Sequence, residues 1–322
     1  MHRRALLAGL IAAPALAQGN PQQPAWPTRA IELVVPYAAG GPTDRYSREF
    51  APRLAELWGQ QVVVSNKPGG ATAIGTAAVA HAAPDGHTLL LASFGIVTNP
   101  IMLKNLPYDP RALAPLCRIA LGGGVLYVHP SVPANNLAEL VAWAKANPGM
   151  LQFGSSGMGS SPHIAAELLA WAAGIDIVHI PYRGSGPALT DLIAGHINAL
   201  FDSPTTMRFV HEGKLRAVGI AQPRRNATVP DVPTMAEQGF PQVSARTFYG
   251  FFCPAAVPQA LQARIAADVR DVAEGEAISR LIRDDGLEPL ADTPEEFAAF
   301  LAQQHAFWSR VVRERGLSLA GP

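Results

Sequence analysis

Twice along the chain, a short apolar run ends in a glycine-rich turn that opens a helix, and the unit then repeats with a second turn. In the first half "IELVVP" (from Ile31) runs into "YAAGGPTD", a helix to about Leu57, the stop Trp58-Gly59 and the strand "QVVVS". The second turn, "NKPGGATAIG", opens a helix through about His81, and "PDG" turns the chain into "HTLLLAS". Residues 151–196 repeat the order: strand, "GSSGMGSSPH", a helix closed at Gly174, "IDIVHIP", the turn "YRGSGP" and another helix. The repeat is one of architecture more than of letters. Strands alternating with helices predict α/β lobes, each a mostly parallel sheet flanked by helices.

A chain of 322 residues has room for two such lobes. "YDPRALAPLCRIALGGGVLYVHPSVP" would carry it out of the first lobe near residue 120, and "ARTFYGFFCPAAVP" would return it near residue 250. Helices are predicted at 259–273, 276–285 and 294–315, the last capped by Thr293 with Glu295 and Glu296 in its first turn. They should pack on lobe one, which then comprises residues 18–120 and 251–322, with lobe two at 121–250. Two crossings between similar lobes imply a hinge and a cleft.

The N-terminus reads separately. Arg3 and Arg4, an apolar run from Ala5 to about Ala13, and Ala15-Leu16-Ala17 form a secretory signal peptide, residues 1–17, cleaved after Ala17. No later run approaches about 18 apolar residues. Export places the mature chain in the periplasm, where Cys117 and Cys253 could pair or stay as buried thiols. Twenty-five basic residues balance twenty-five acidic ones, which argues against a nucleic-acid partner. With no C-x-x-C, H-E-x-x-H or clustered histidines, neither a metal nor another cofactor is expected.

Turns after parallel strands gather at one edge of the sheet, where helix N-termini present free N–H groups and partial positive charge. That makes an anion site without lysine or arginine. Gly40 and Gly41 let the backbone approach a ligand, Pro42 suits the first helical position, and Asp44 can satisfy early donors. The bland alternative is a plain helix cap, and four turns in matched pairs weigh against it. Phosphate motifs are missing: there is no G-x-x-x-x-G-K-[ST] and no dinucleotide fingerprint. A carboxylate fits better, with donors from Thr43, Thr72, Ser93, Ser155, Ser156, Ser160 and Ser161. A hydrolase built on Ser156 or Ser160 with His163 lacks the G-x-S-x-G elbow. Tyr37, Tyr182, Phe248 and Tyr249 lie next to the turns and the returning strand and lean toward the pocket, while Arg183 and Asp202 face either substrate or surface.

Segments in the order "VVPYAAGGPTD", "VVVSNKPGGATAIGTAAVAHAAPDGHTLLLAS", "LPYDP", "FGSSGMGSSPHIAAELL", "IVHIPYRGSGPALTDLIAGHINALFD", "GKLRAVGIAQPRR", "PDVPTMAEQGFP" and "TPEEF" cover essentially the whole mature chain. They resemble the Bug family, the substrate-binding proteins of tripartite tricarboxylate transporters. The resemblance implies a two-lobed type II periplasmic binding protein fold, a Venus flytrap, closing on a small organic acid for delivery to a membrane permease; the rival reading is a sensor that presents itself to a membrane receptor. A monomer is expected. By its matched motifs, Tyr37, Ala39, Gly40, Gly41, Thr43 and Asp44 from the first turn, and Ser155, Ser156, Gly157 and Ser160 from the other, would grip one carboxylate. Tyr182, Gly184 and Asp202 would add to them. The chain departs from the family at Pro42, at Thr72 and Ala73, at Met158, and at Phe248 after Thr247. Ala73 and Met158 would make the distal pocket less polar, so the ligand's far end is expected to be apolar or aromatic.

Overall fold

A computed structural model describes residues 26–315 of the chain. The signal-peptide reading therefore lies outside the described residues. The first lobe opens with β1 (Ile31–Val35), α1 (Pro42–Trp58), β2 (Val62–Asn66), α2 (Ala73–Ala80), β3 (Thr88–Ala92) and α3 (Gly95–Met102), followed by the long β4 (Leu113–Gly122). The second sheet is built from β5 (Val125–Val128), α4 (Leu137–Ala146), β6 (Leu151–Ser155), α5 (Ser161–Ala173), β7 (Ile177–Pro181), α6 (Ser185–Ala194), β8 (Ala199–Asp202), α7 (Met207–His211) and β9 (Arg216–Ile220). The chain returns through β10 (Thr247–Pro254) to α8 (Gln259–Glu274), α9 (Glu276–Asp284), β11 (Glu288–Pro289) and α10 (Pro294–Arg315).

The sheets run β11-β4-β10-β3-β1-β2 and β7-β6-β8-β5-β9. Both are mixed rather than mostly parallel. β1 is parallel to β2 and β3, but β10 is antiparallel to β3 and β4, and β11 to β4. In the second sheet β6 is parallel to β7 and β8, whereas β5 is antiparallel to β8 and β9. The physical reason is the double crossing. β5 and β10, the strands that receive the chain after each crossing, enter against their sheet neighbours, and β11 follows the direction of β10. β10 belongs whole to the first sheet, since Thr247 already pairs with Gly122.

α1 shows how the first turn is anchored. Pro42 occupies its start, and Gly59 closes it in the left-handed conformation at φ 65°. Tyr46, Phe50 and Leu54 recur every four residues and are fully buried, which sets the inward stripe. The Tyr46 ring meets Tyr249 of β10 edge-on at 5.0 Å, and Phe50 meets Phe251 at 5.0 Å. On the other face of β10, Phe248 and Phe252 pack against Phe297 of α10. α10 starts with a reciprocal cap: Glu296 N–H donates to Thr293 Oγ1 at 3.2 Å, and Thr293 N–H donates to Glu296 Oε2 at 2.8 Å. Thr293→Ala should therefore lower stability by about 1 kcal/mol in urea denaturation without altering ligand binding.

Cys117 and Cys253 are both buried free thiols. Burial pushes each up to about 12, so they pack as small apolar groups. Among the described residues no helix is long and apolar enough to cross a membrane.

Candidate functional site

The two sheets meet where the chain crosses. β4 passes to β5 through Gly123 and Gly124, beside the end of β9 at Ala221 and Gln222, while the returning β10 pairs with Gly122 at Thr247. Gly123 N–H donates to Gln222 Oε1 at 3.1 Å, and Ala221 N–H to the Gly124 carbonyl at 2.9 Å. A Cβ on Gly123 would stand 2.7 Å from the Ala221 oxygen, so glycine is needed there for backbone approach. Beyond this junction the lobes touch again: Ala38 N–H donates to the Arg183 carbonyl at 2.7 Å, and Thr98 Oγ1 donates to the Gly159 carbonyl at 2.6 Å.

Between these contacts lies a cavity of about 60 Å³. Three helix starts line it: Gly41, Pro42 and Thr43 from α1, Ser160, Ser161 and Pro162 from α5, and Ser185 from α6. At none of these three helix starts does the N-cap residue, Gly41, Ser160 or Gly184, hydrogen-bond a first-turn amide through a side chain. Their first amides therefore remain as donors, with the positive ends of three helix dipoles converging. Hydroxyls from Tyr37, Ser93, Ser156, Ser203, Thr247 and Tyr249 add to them, and Ala165, Phe201, Ala245 and Leu287 supply the apolar wall. Among the described residues no lysine, arginine or histidine lines the cavity, and Asp202 is its one carboxylate.

Each turn is held in place from behind. At φ 88° Gly40 occupies the left-handed region, and its N–H donates to Asp44 Oδ2 at 3.0 Å. Asp44 also accepts from Arg48 Nε at 3.1 Å and from Asn66 Nδ2 at 3.0 Å. Burial alone would raise its pKa, but the hydrogen bonds from Arg48, Gly40 and Asn66 outweigh it and hold the carboxyl below the usual range. Asp202 is the opposite case. Burial lifts it to about 6 despite hydrogen bonds from Thr206 Oγ1, at 2.7 Å, and the Ser203 amide. Tyr37 is likewise lifted by burial to about 12, so it stays a neutral hydroxyl.

Of the residues singled out from the sequence, the structure brings Tyr37, Gly41, Thr43, Ser93, Ser156, Ser160 and Asp202 together around the cavity. Ala39 and Gly40 face the other lobe: a Cβ on Gly186 would stand 3.2 Å from the Ala39 oxygen. Ser155 and Gly157 lie behind the second turn, where Gly157 N–H donates to Ser155 Oγ at 3.1 Å. Gly184 backs onto Ala38. Thr72 is turned away to accept from Asn99 Nδ2 at 3.0 Å, and Tyr182 donates to Asp191 Oδ2 of the following helix, α6, at 2.6 Å. Phe248, read as leaning toward the pocket, is fully buried among Phe297 and Phe300 instead. Ala73 is a core residue, and neither it nor Met158 lines the cavity. Sequence reasoning missed Thr247, Ser185, Ser203 and Leu287. The strand period of two could have found Thr247, which flanks the core-facing Phe248 on the same side as Tyr249.

Comparison with known proteins gives one consistent picture. The family described as "Tripartite tricarboxylate transporter family receptor" matches residues 46–317. The structure of periplasmic binding protein BugD is 30% identical, with a TM-score of 0.87, over 91% of this chain and 99% of that one. A protein from R. palustris solved with adipate is 29% identical, TM-score 0.85, covering 91% and 99%. MatC from Rhodopseudomonas palustris, solved with bound malate, is 28% identical, TM-score 0.85, covering 89% and 100%.

Proposed function

Because the chain belongs to the family of tripartite tricarboxylate transporter receptors, we propose that it captures a small organic acid between its two lobes and delivers it to a membrane permease in the periplasm. The observation that carries the carboxylate is the convergence of three uncapped helix N-termini on a cavity that, among the described residues, has no basic side chain. A carboxylate satisfies several short N–H and O–H donors at once and takes its countercharge from helix dipoles. Adipate and malate in the two R. palustris structures agree with that class of ligand.

The lobes follow the sheets: one holds β1 to β4 with β10 and the C-terminal helices, the other β5 to β9. Closure hides the ligand and presents a docking shape to the permease, so binding energy shifts a hinge equilibrium. Micromolar affinity, about 8 kcal/mol, suits such capture and release.

Asp202 refines the ligand. Ionised and buried at neutral pH, it disfavours a second carboxylate beside it and favours a hydroxyl or an apolar end. The reading of an uncharged far end thus rests on Asp202, not on Ala73 or Met158. A hydrolase built on Ser160 with His163 finds no support in their hydrogen bonds. His163 Nδ1 accepts from the Gly159 amide at 3.1 Å, and Ser160 Oγ donates to the Gly157 carbonyl at 2.7 Å, so neither forms a nucleophile–base pair with the other.

A thermal-shift screen at pH 7.5 of mono-, di- and tricarboxylates, aromatic acids, amino acids and sugars tests the reading. A ligand at about 100 times its dissociation constant adds roughly 2.7 kcal/mol and raises the midpoint by a few degrees. Shifts confined to acids, with the acid recovered unchanged, are the expected result. A shift from a neutral solute alone would overturn it.

A further inference from the structure

Behind the glycine–serine turn of the second lobe sits a pair of imidazoles that do not line the cavity. His163, in the first turn of α5, is 3% exposed. Its ring stacks on that of His179 in β7, with centroids 3.8 Å apart and planes at 21°. Each ring reaches the turn through one hydrogen bond. Gly159 N–H donates to His163 Nδ1 at 3.1 Å, and Ser155 Oγ lies 2.7 Å from His179 Nε2.

The direction of the second bond follows from counting acceptors. Ser155 Oγ takes the Gly157 N–H at 3.1 Å, which leaves its own proton to place. One option is the Gly157 carbonyl at 3.1 Å. That oxygen already accepts from Ser160 Oγ at 2.7 Å and from Ser160 N–H at 3.1 Å, which uses both of its lone pairs. The Ser155 proton therefore goes to His179 Nε2, over the shorter contact. Both histidines are then neutral acceptors, a role that an imidazolium cannot fill. With its Nδ1 accepting, His163 carries its proton on Nε2, which faces Glu167 Oε1 at 3.6 Å. Burial, with His163 alongside, holds His179 down at about 3, so its acceptor persists through the neutral range.

We propose that His163 and His179 are positioning residues for ligand capture: the stacked pair holds Ser155 and Gly159 and so fixes the turn that presents Ser156, Ser160 and the first amides of α5 to the cavity. The inference rests on the carboxylate reading of that cavity. A pairwise hydrogen bond that orders a turn acts on affinity more than on global stability, because the turn is a small part of the core and all of one wall of the site.

The test is calorimetric titration with hexanoate and adipate, alongside the melting temperature of each ligand-free variant. His179→Gln, which keeps an acceptor, should bind the better probe within about threefold of wild type, and His179→Leu should lose about tenfold or more. In a Ser155→Ala background, where the donated proton is gone, His179→Leu should add no further loss. Equal losses for the Gln and Leu variants, or a full additional loss in the Ser155→Ala background, would overturn the positioning role. So would a His179→Leu protein that binds like wild type. Wild-type protein that binds neither probe nor any acid of the screen would instead overturn the carboxylate reading itself.

Discussion

Gly41→Val lowers carboxylate affinity by about 100-fold or more, close to 3 kcal/mol, while the ligand-free protein melts within a few degrees of wild type. Its harmlessness to the fold follows from the backbone. Gly41 sits at φ −87° and ψ 172°, an extended conformation open to any residue. A Cβ there meets nothing nearer than the Ser185 nitrogen at 3.7 Å and the Gly186 nitrogen at 3.9 Å. Its harm to binding comes from the same neighbours. Those nitrogens begin α6, so the valine methyls cover donors of one helix while projecting from the cap of another. Gly41→Ala, with a Cβ at ordinary contact distance, should fall between the two. Titration calorimetry on the best acid from the screen decides it, and affinity within tenfold of wild type would remove this turn from the site.

Asp202→Asn has two linked effects. In the folded protein Asp202 titrates near 6, against 3.8 for the free side chain. The folded state therefore holds a proton that the unfolded chain has released. The stabilisation is complete below about pH 4 and is lost as pH rises through 6, amounting to about 3 kcal/mol at most. The asparagine variant keeps an acceptor for Thr206 and should lose that decline, gaining most over wild type at pH 8. The second effect is on specificity. Two carboxylates about 5 Å apart at an effective dielectric near 20 repel by about 3 kcal/mol. Adipate should therefore bind Asp202→Asn about 10- to 100-fold more tightly than wild type at pH 8, with little change for hexanoate. Wild type itself should gain adipate affinity as pH falls from 8 to 6. An unchanged ratio of adipate to hexanoate affinity would show that Asp202 does not read the far end of the ligand.

How much of this was legible in the sequence depends on what each residue answers to. The strand–turn–helix units were readable because Pro42, Gly59 and Gly174 punctuate them, and because Tyr46, Phe50 and Leu54 keep a helical stripe. The donor turns were readable for the same reason: "AAGGPTD" and "GSSGMGSSPH" have few other uses at helix starts. Sheet direction was not. Whether β10 runs with or against β3 is decided by the return of the chain from the other lobe, and nothing local to "TFYGFFCP" records that. Facing was also lost at Phe248. Its neighbours on the strand reach the cavity while it meets Phe297 and Phe300, partners about fifty residues away whose position only the fold supplies. The histidine pair shows the same limit, since His163 and His179 lie on different elements that only the β6–α5–β7 packing stacks.

The outgoing crossing at Gly122–Gly124 runs beside the returning one at Thr247, which pairs with Gly122, and this has a mechanical consequence. Two chain passages pinned to each other cannot slide independently, so relative motion of the halves reduces to rotation about one short axle. A rotation of that kind moves the far rim most and the axle least. The Ala38–Arg183 and Thr98–Gly159 clasps would then part together, and the solute would be freed in a single swing instead of being peeled away group by group.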